Sequence, residues 1–153
     1  MRLLQCDTIA FYPRAQSEYT SSMARMMGID YGTKRVGVAL TDESGSVAFP
    51  KATFPNDKTL MRDLSAMIQD MGVKLVVVGQ SIDNKGEDNN VAQKARTFAE
   101  ELGRALSVTI HYEPEYYTSQ EARVHTGLRT VDAEAAAIIL NSYITKTSHG
   151  DTH

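Results

Sequence analysis

The sequence predicts an α/β fold: a mixed five-stranded sheet with an antiparallel first trio, two further strands added through helical crossovers, and flanking helices. Three observations carry this prediction. Two short apolar alternations, at about 25–31 and 35–42, flank a tight Gly32-Thr-Lys connection, as in an antiparallel pair. The β-branched run Val73-Lys-Leu-Val-Val-Val-Gly79 reads as a strand buried on both faces. On either side of that run, apolar residues recur at helical spacing.

Residues 1–24 read as a mobile N-terminal extension. The apolar stretch Met1-Arg-Leu-Leu-Gln-Cys is too short for a signal peptide, and Pro13 and the polar residues after it interrupt any regular element. Translation starting at Met23 or Met26 is an equal alternative. The domain itself spans 25–145. Its first strand covers about 25–31 and its second about 35–42. The third covers about 46–54, where Pro50 requires an edge or a bulge. Leu60, Met61, Leu64, Met67, Ile68 and Met71 share a helical face, and Gly72 ends that helix. The fourth strand is 73–79. A polar loop from Gln80 to Asn90 leads to a helix with Val91, Ala95, Phe98, Ala99 and Leu102 on one face. The fifth strand is Val108-Thr-Ile-His-Tyr112, and Pro114 should stop it there, leaving Glu115 on a stiff turn. Thr118-Ser-Gln-Glu121 is a capping box opening a further helix. The last helix runs from about 131 to 144, and 146–153 reads as a frayed tail.

At 153 residues the chain supports one domain with a real core. No apolar run approaches the roughly 20 residues of a membrane span, so no membrane partner is expected. The lone Cys6 excludes an intramolecular disulfide and a cysteine-rich zinc site, and it fits a reducing, cytoplasmic setting. The formal charge of -3 gives no global attraction to nucleic acid, so any such binding needs a local basic surface.

Asp30 is the feature that burial alone does not explain. A carboxylate inside an apolar strand is costly unless it is paired or binds a metal. It is either a satisfied structural group or part of a site, and in open α/β sheets sites lie beyond the carboxyl ends of the strands.

Five segments in order carry a resemblance: Gly28-Ile-Asp-Tyr-Gly-Thr-Lys-Arg-Val-Gly37, Val76-Val-Val-Gly79 with a loop ending at Gly86, Gln93-Lys-Ala-Arg-Thr-Phe-Ala99, Thr118-Ser-Gln-Glu-Ala-Arg123 and Val131-Asp-Ala-Glu-Ala-Ala-Ala-Ile-Ile-Leu-Asn-Ser-Tyr143. Over about 25–145 the chain resembles the YqgF-type family of RNase H-like proteins. Its members are described as Holliday-junction-resolvase-like and as nucleases maturing the 5′ end of pre-16S ribosomal RNA. The resemblance implies an RNase H-like sheet and an active site of three acidic residues, here Asp30, Glu115 and Asp132. It implies magnesium or manganese as cofactor and nucleic acid as partner, most readily structured precursor ribosomal RNA, with a pre-ribosomal particle as its setting. The family's Asp-Glu-Arg triplet is altered here: Pro114 stands for the Asp and Tyr116 for the Arg. Glu113, two residues before Glu115, is a candidate replacement for the missing charge.

The chemistry suits these residue types. Phosphodiester hydrolysis must stabilise charge on phosphoryl and leaving oxygens, and carboxylates from separate segments recruit hard divalent cations that do this. Thr33, Lys34 and Arg35 stand beside Asp30 where they could meet phosphate, although a solvated turn remains open. Arg96 could contact substrate or form a surface ion pair. Arg123 and Arg129, with His125, could track a nucleic-acid backbone or be a solvated face. Asp132 could be a simple helix N-terminal charge, but it shares a helical face with Ala136 and Ile139 and so is expected to point inward.

Three readings compete with ribosomal RNA processing. Cleavage of branched DNA needs the same site. A non-catalytic RNA-binding assembly factor would keep the fold without the chemistry. An ATP-binding sugar-kinase-like reading of Gly28–Thr33 needs a second phosphate loop and a second domain, which the chain does not offer.

Overall fold

The computed structural model describes residues 24–81, 90–115 and 131–150. In chain order the elements are β1 (Arg25–Tyr31), β2 (Arg35–Thr41), β3 (Ala48–Pro55), α1 (Leu60–Met71), β4 (Val73–Ser81), α2 (Asn90–Leu106), β5 (Thr109–Glu115) and α3 (Val131–His149). The five strands form one sheet in the order β3-β2-β1-β4-β5. β1, β2 and β3 are antiparallel neighbours, and β4 and β5 run parallel to β1. This is the arrangement expected from the sequence.

Alternation sorts the strand residues between two cores. Met27, Ile29, Val36, Val38, Val76 and Val78 pack against Leu60, Leu64 and Ile68 of α1 and Ala95, Ala99 and Leu102 of α2. Ala39, Ala48 and Val77 pack against Ala136, Ile139, Leu140 and Ile144 of α3. β4 therefore buries both faces, which is why its sequence is a continuous apolar run. Small residues let α3 lie close to the sheet. A Cβ on Gly28 would come within 2.6 Å of the Ala136 carbonyl oxygen, and one on Gly37 would overlap the Asp132 carbonyl. Asn141 ties the same helix to the edge strand: its Oδ1 accepts the Ala48 N–H at 2.9 Å and its Nδ2 donates to the Ala48 carbonyl at 3.3 Å.

Several boundaries differ from expectation, and β4 runs on to Ser81, two residues past the expected end. β3 starts at Ala48 and ends at Pro55, and its pairing with β2 carries a bulge between Val38 and Ala39, opposite Lys51. β5 does not stop before Pro114: Pro114 pairs with Gln80 and Glu115 with Ser81. The reason is topological. β5 is an edge strand, where a missing N–H need not break a ladder on the outer side. α3 continues to His149, so residues 146–149, read as tail, are helical. Thr147 Oγ1 donates to the Tyr143 and Ile144 carbonyls there. The expected N-terminal extension, the Thr118 capping box and the loop after Ser81 lie outside the described residues. Among the described residues, no helix is long and apolar enough to cross a membrane.

Candidate active site

Asp30 is the penultimate residue of β1 and is 9% exposed. It pairs with Gly37 across the β1–β2 ladder. Gly28 faces α3, so two residues on Asp30 faces it too. Asp132 stands in the first turn of α3, and its backbone is pressed onto Gly37. Gly37 thus lies between the two carboxylate-bearing positions. Any side chain there would push the helix start away from the strand. This residue was missed as functional in the sequence, although a glycine inside a strand is a signal of close backbone approach.

Arg35 supplies the local positive charge. It is two residues before Gly37 on the same face of β2, and its Nε lies 3.2 Å from Asp132 Oδ2. The Asp132 side chain is 19% exposed and that of Arg35 58%. The α3 N-terminus adds a partial positive charge beside the carboxylates. The preceding turn is held firmly. Gly32 N–H donates to the Arg35 carbonyl at 2.9 Å, Asn56 Nδ2 donates to the Gly32 carbonyl at 2.7 Å, and Asn56 N–H donates to the Lys34 carbonyl at 2.9 Å. Thr33 and Lys34 are exposed on this pinned turn at the carboxyl end of β1.

Glu115 ends β5 in register with Ser81, two strands away from Asp30. Glu113, the candidate for the charge missing from the altered triplet, faces α3. It is buried, accepts a hydrogen bond from Ser142 Oγ at 3.1 Å and is ion-paired with Lys146, so it is committed to the far half of α3. His111 Nε2 is 3.9 Å from its other oxygen, and the His111 ring packs on Tyr143 at 4.6 Å.

Arg96 lies on the opposite face of the sheet from Asp30, with its guanidinium 5.9 Å over the Tyr112 ring. Burial holds the Tyr112 hydroxyl above its ordinary range, helped by the Glu100 charge and opposed by Arg96. Arg123, Arg129 and His125 lie outside the described residues, as do Asp83, Lys85, Glu87 and Asp88.

Among the described residues no group of three or more His, Cys, Asp or Glu side chains gathers closely enough to hold a metal. The donors that do gather at the β1 end, Asp30 and Asp132, are oxygen-only. That chemistry fits a hard cation such as magnesium or manganese and not zinc in a cysteine or histidine cage.

Residues 24–146 match the family described as RuvX: Holliday junction resolvase. A Salinibacter ruber protein named "Putative pre-16S rRNA nuclease" is 36% identical over 140 residues, covering 83% of this chain and 96% of that protein. A protein of the same name from Chlorobaculum tepidum is 35% identical over 137 residues, covering 82% of this chain and 96% of its own length. In fold the chain is similar to T. thermophilus RuvC in complex with a Holliday junction substrate. The TM-score is 0.55 at 14% identity, over 82% of this chain and 96% of that one. The shared architecture is the RNase H-like sheet.

Proposed function

This chain belongs to the RuvX family of Holliday junction resolvases, nucleases whose reaction is phosphodiester hydrolysis, and from that membership we propose that it is a metal-dependent endonuclease processing the 5′ end of pre-16S ribosomal RNA. The observation that supports the reading is the packing of the Asp132 backbone on Gly37, the residue that pairs with Asp30 near the carboxyl end of β1. Asp30, Asp132 and Glu115 would hold magnesium or manganese, which when bound activates water and stabilises the leaving oxygen. The chain's own residues prepare the rest. Arg35 pairs with Asp132 and offers a guanidinium to an incoming phosphate. Lys34 and Thr33 present a cation and a hydroxyl on a turn fixed by Asn56. Fixed groups of this kind hold the phosphate without reorganising during reaction.

The ribosomal substrate rests on the names of the relatives. The setting that follows is cytoplasmic, with a pre-ribosomal particle as partner. A second reading, cleavage of branched DNA, is favoured by the family's own description. Both are tested by incubating the full chain with end-labelled precursor ribosomal RNA and with a labelled four-way DNA junction, in magnesium, manganese or chelator. Metal-dependent cleavage of the RNA alone supports the proposal. Cleavage of the junction alone replaces it with the second reading. Binding without cleavage of either would make the chain an assembly factor and overturn the nuclease assignment.

A further inference from the structure

Asp30 and Tyr31 are consecutive in β1 and face opposite sides of the sheet. On the Tyr31 side, its ring lies 5.4 Å from that of Phe98 in α2, at an interplanar angle of 39°. Beside this aromatic pair is an open groove of about 520 Å³, bordered by Asn90, Gln93 and Thr97 of the same helix. It is separate from the carboxylate site, yet both open at the carboxyl end of β1, and the Gly32–Lys34 turn lies between them.

We infer that this groove binds one unpaired base of the nucleic-acid strand whose phosphate meets Asp30 and Asp132. The inference rests on the nuclease reading and adds a base-binding position to it. The two rings offer apolar faces to any base, a contact that tolerates sequence. The Asn90 and Gln93 amides supply both donors and acceptors suited to a base edge. Glu101 also borders the groove, and its carboxylate disfavours a phosphate as occupant. Lys94 at the border and Lys34 on the turn give the strand's backbone cations along the path from groove to carboxylates. A base held in a duplex stack cannot enter such a groove without being extruded. The groove therefore selects substrates with an unpaired nucleotide beside the bond to be cut.

The test is binding of the full chain in chelator, where cleavage does not interfere. The probes are a fluorescein-labelled short single strand and the same backbone made abasic, read by fluorescence anisotropy. The wild type binds the base-bearing strand about 5- to 150-fold more tightly than the abasic one, the range that stacking of one base supplies. Phe98→Leu, which keeps an apolar side chain but removes the ring, and Gln93→Ala, at an exposed position, both lower that ratio and leave abasic binding unchanged. An unchanged ratio in both variants overturns the groove. If the wild type cleaves nothing but keeps a ratio that these variants abolish, the groove stands and the nuclease reading falls. If it cleaves and the ratio is one, the groove falls alone.

Discussion

Arg35 and Asp132 form an ion pair, Nε to Oδ2 at 3.2 Å, that joins the second strand to the first turn of the last helix at the mouth of the carboxylate site. The pair is partly exposed, so its own contribution to stability is about 0–1 kcal/mol. Its importance is electrostatic. It occupies an oxygen that a metal would need and places a guanidinium where a phosphate would arrive.

Arg35→Gln should therefore separate metal binding from catalysis. Manganese affinity, measured by titration calorimetry without nucleic acid, should rise several-fold as the competing cation is lost. Cleavage should fall by about tenfold or more, because a charge-assisted contact to phosphate disappears. A drop in manganese affinity would show that Arg35 supports the metal site instead of competing with it.

Gly37→Ala places a methyl group against the Asp132 backbone. Overpacking of this kind costs about 1–3 kcal/mol, and here it shifts the helix that carries Asp132. Both melting temperature and activity should fall. Gly28→Ala, which meets the Ala136 carbonyl at 2.6 Å, should lower stability with a smaller loss of activity below its melting temperature. Equal activity in Gly37→Ala and wild type would contradict the packing described.

Glu113 is a stability residue. Lys146→Met leaves a buried carboxylate with Ser142 but without its ammonium partner. A fully buried pair broken this way costs about 3–5 kcal/mol. The Lys146 side chain is 57% exposed, so the loss should be about 1–2 kcal/mol. Denaturant midpoints read this directly. Glu113→Gln should likewise melt earlier and retain its cleavage rate at low temperature. A folded but inactive Glu113→Gln would restore this residue to the active site.

Asp57 anchors the entry to the first helix. The Thr59 hydroxyl and N–H both bond its Oδ1, at 2.6 and 2.8 Å, and these bonds hold its carboxyl below the ordinary value, with a smaller contribution from Arg62. A carboxyl depressed on folding stabilises above its unfolded pKa and loses that contribution as pH falls through the folded one. Asp57→Ala should melt below wild type at neutral pH, and the two curves should converge as pH falls through the depressed folded-state pKa of Asp57. A gap that persists in acid would mean that the effect is not carried by the charge.

The sheet was legible because each strand announces itself locally: alternation in β1 and β2, and a doubly buried run in β4. β5 was read short because Pro114 looks like a terminator until its strand is known to lie at an edge. α3 was read short because the polar Lys146-Thr-Ser-His149 stretch gives no apolar period, although the helix runs through it to His149. Asp30 stood out as a carboxylate in an apolar strand, whereas Asp132 was singled out through the family resemblance. The roles of Arg35 and Glu113 were not legible. Their partners, Asp132 and Lys146, are distant in the chain, and only the packing of α3 across the sheet brings each pair together. Arg96 gave the opposite lesson: helical spacing placed it on a polar face, but not which side of the sheet that face adjoins.

The account turns on Asp30 and Asp132 acting together, and one comparison tests this most directly. Wild type, Asp30→Asn and Asp132→Asn are assayed on the labelled precursor RNA and on the four-way junction in magnesium, with circular dichroism and melting temperature recorded for each. The account predicts that wild type cleaves one substrate, that both variants fold and lose cleavage by a factor of about 100 or more, and that Asp30→Asn melts at or above the wild-type temperature in metal-free buffer through relief of like-charge repulsion. Full cleavage by a folded Asp30→Asn would contradict it.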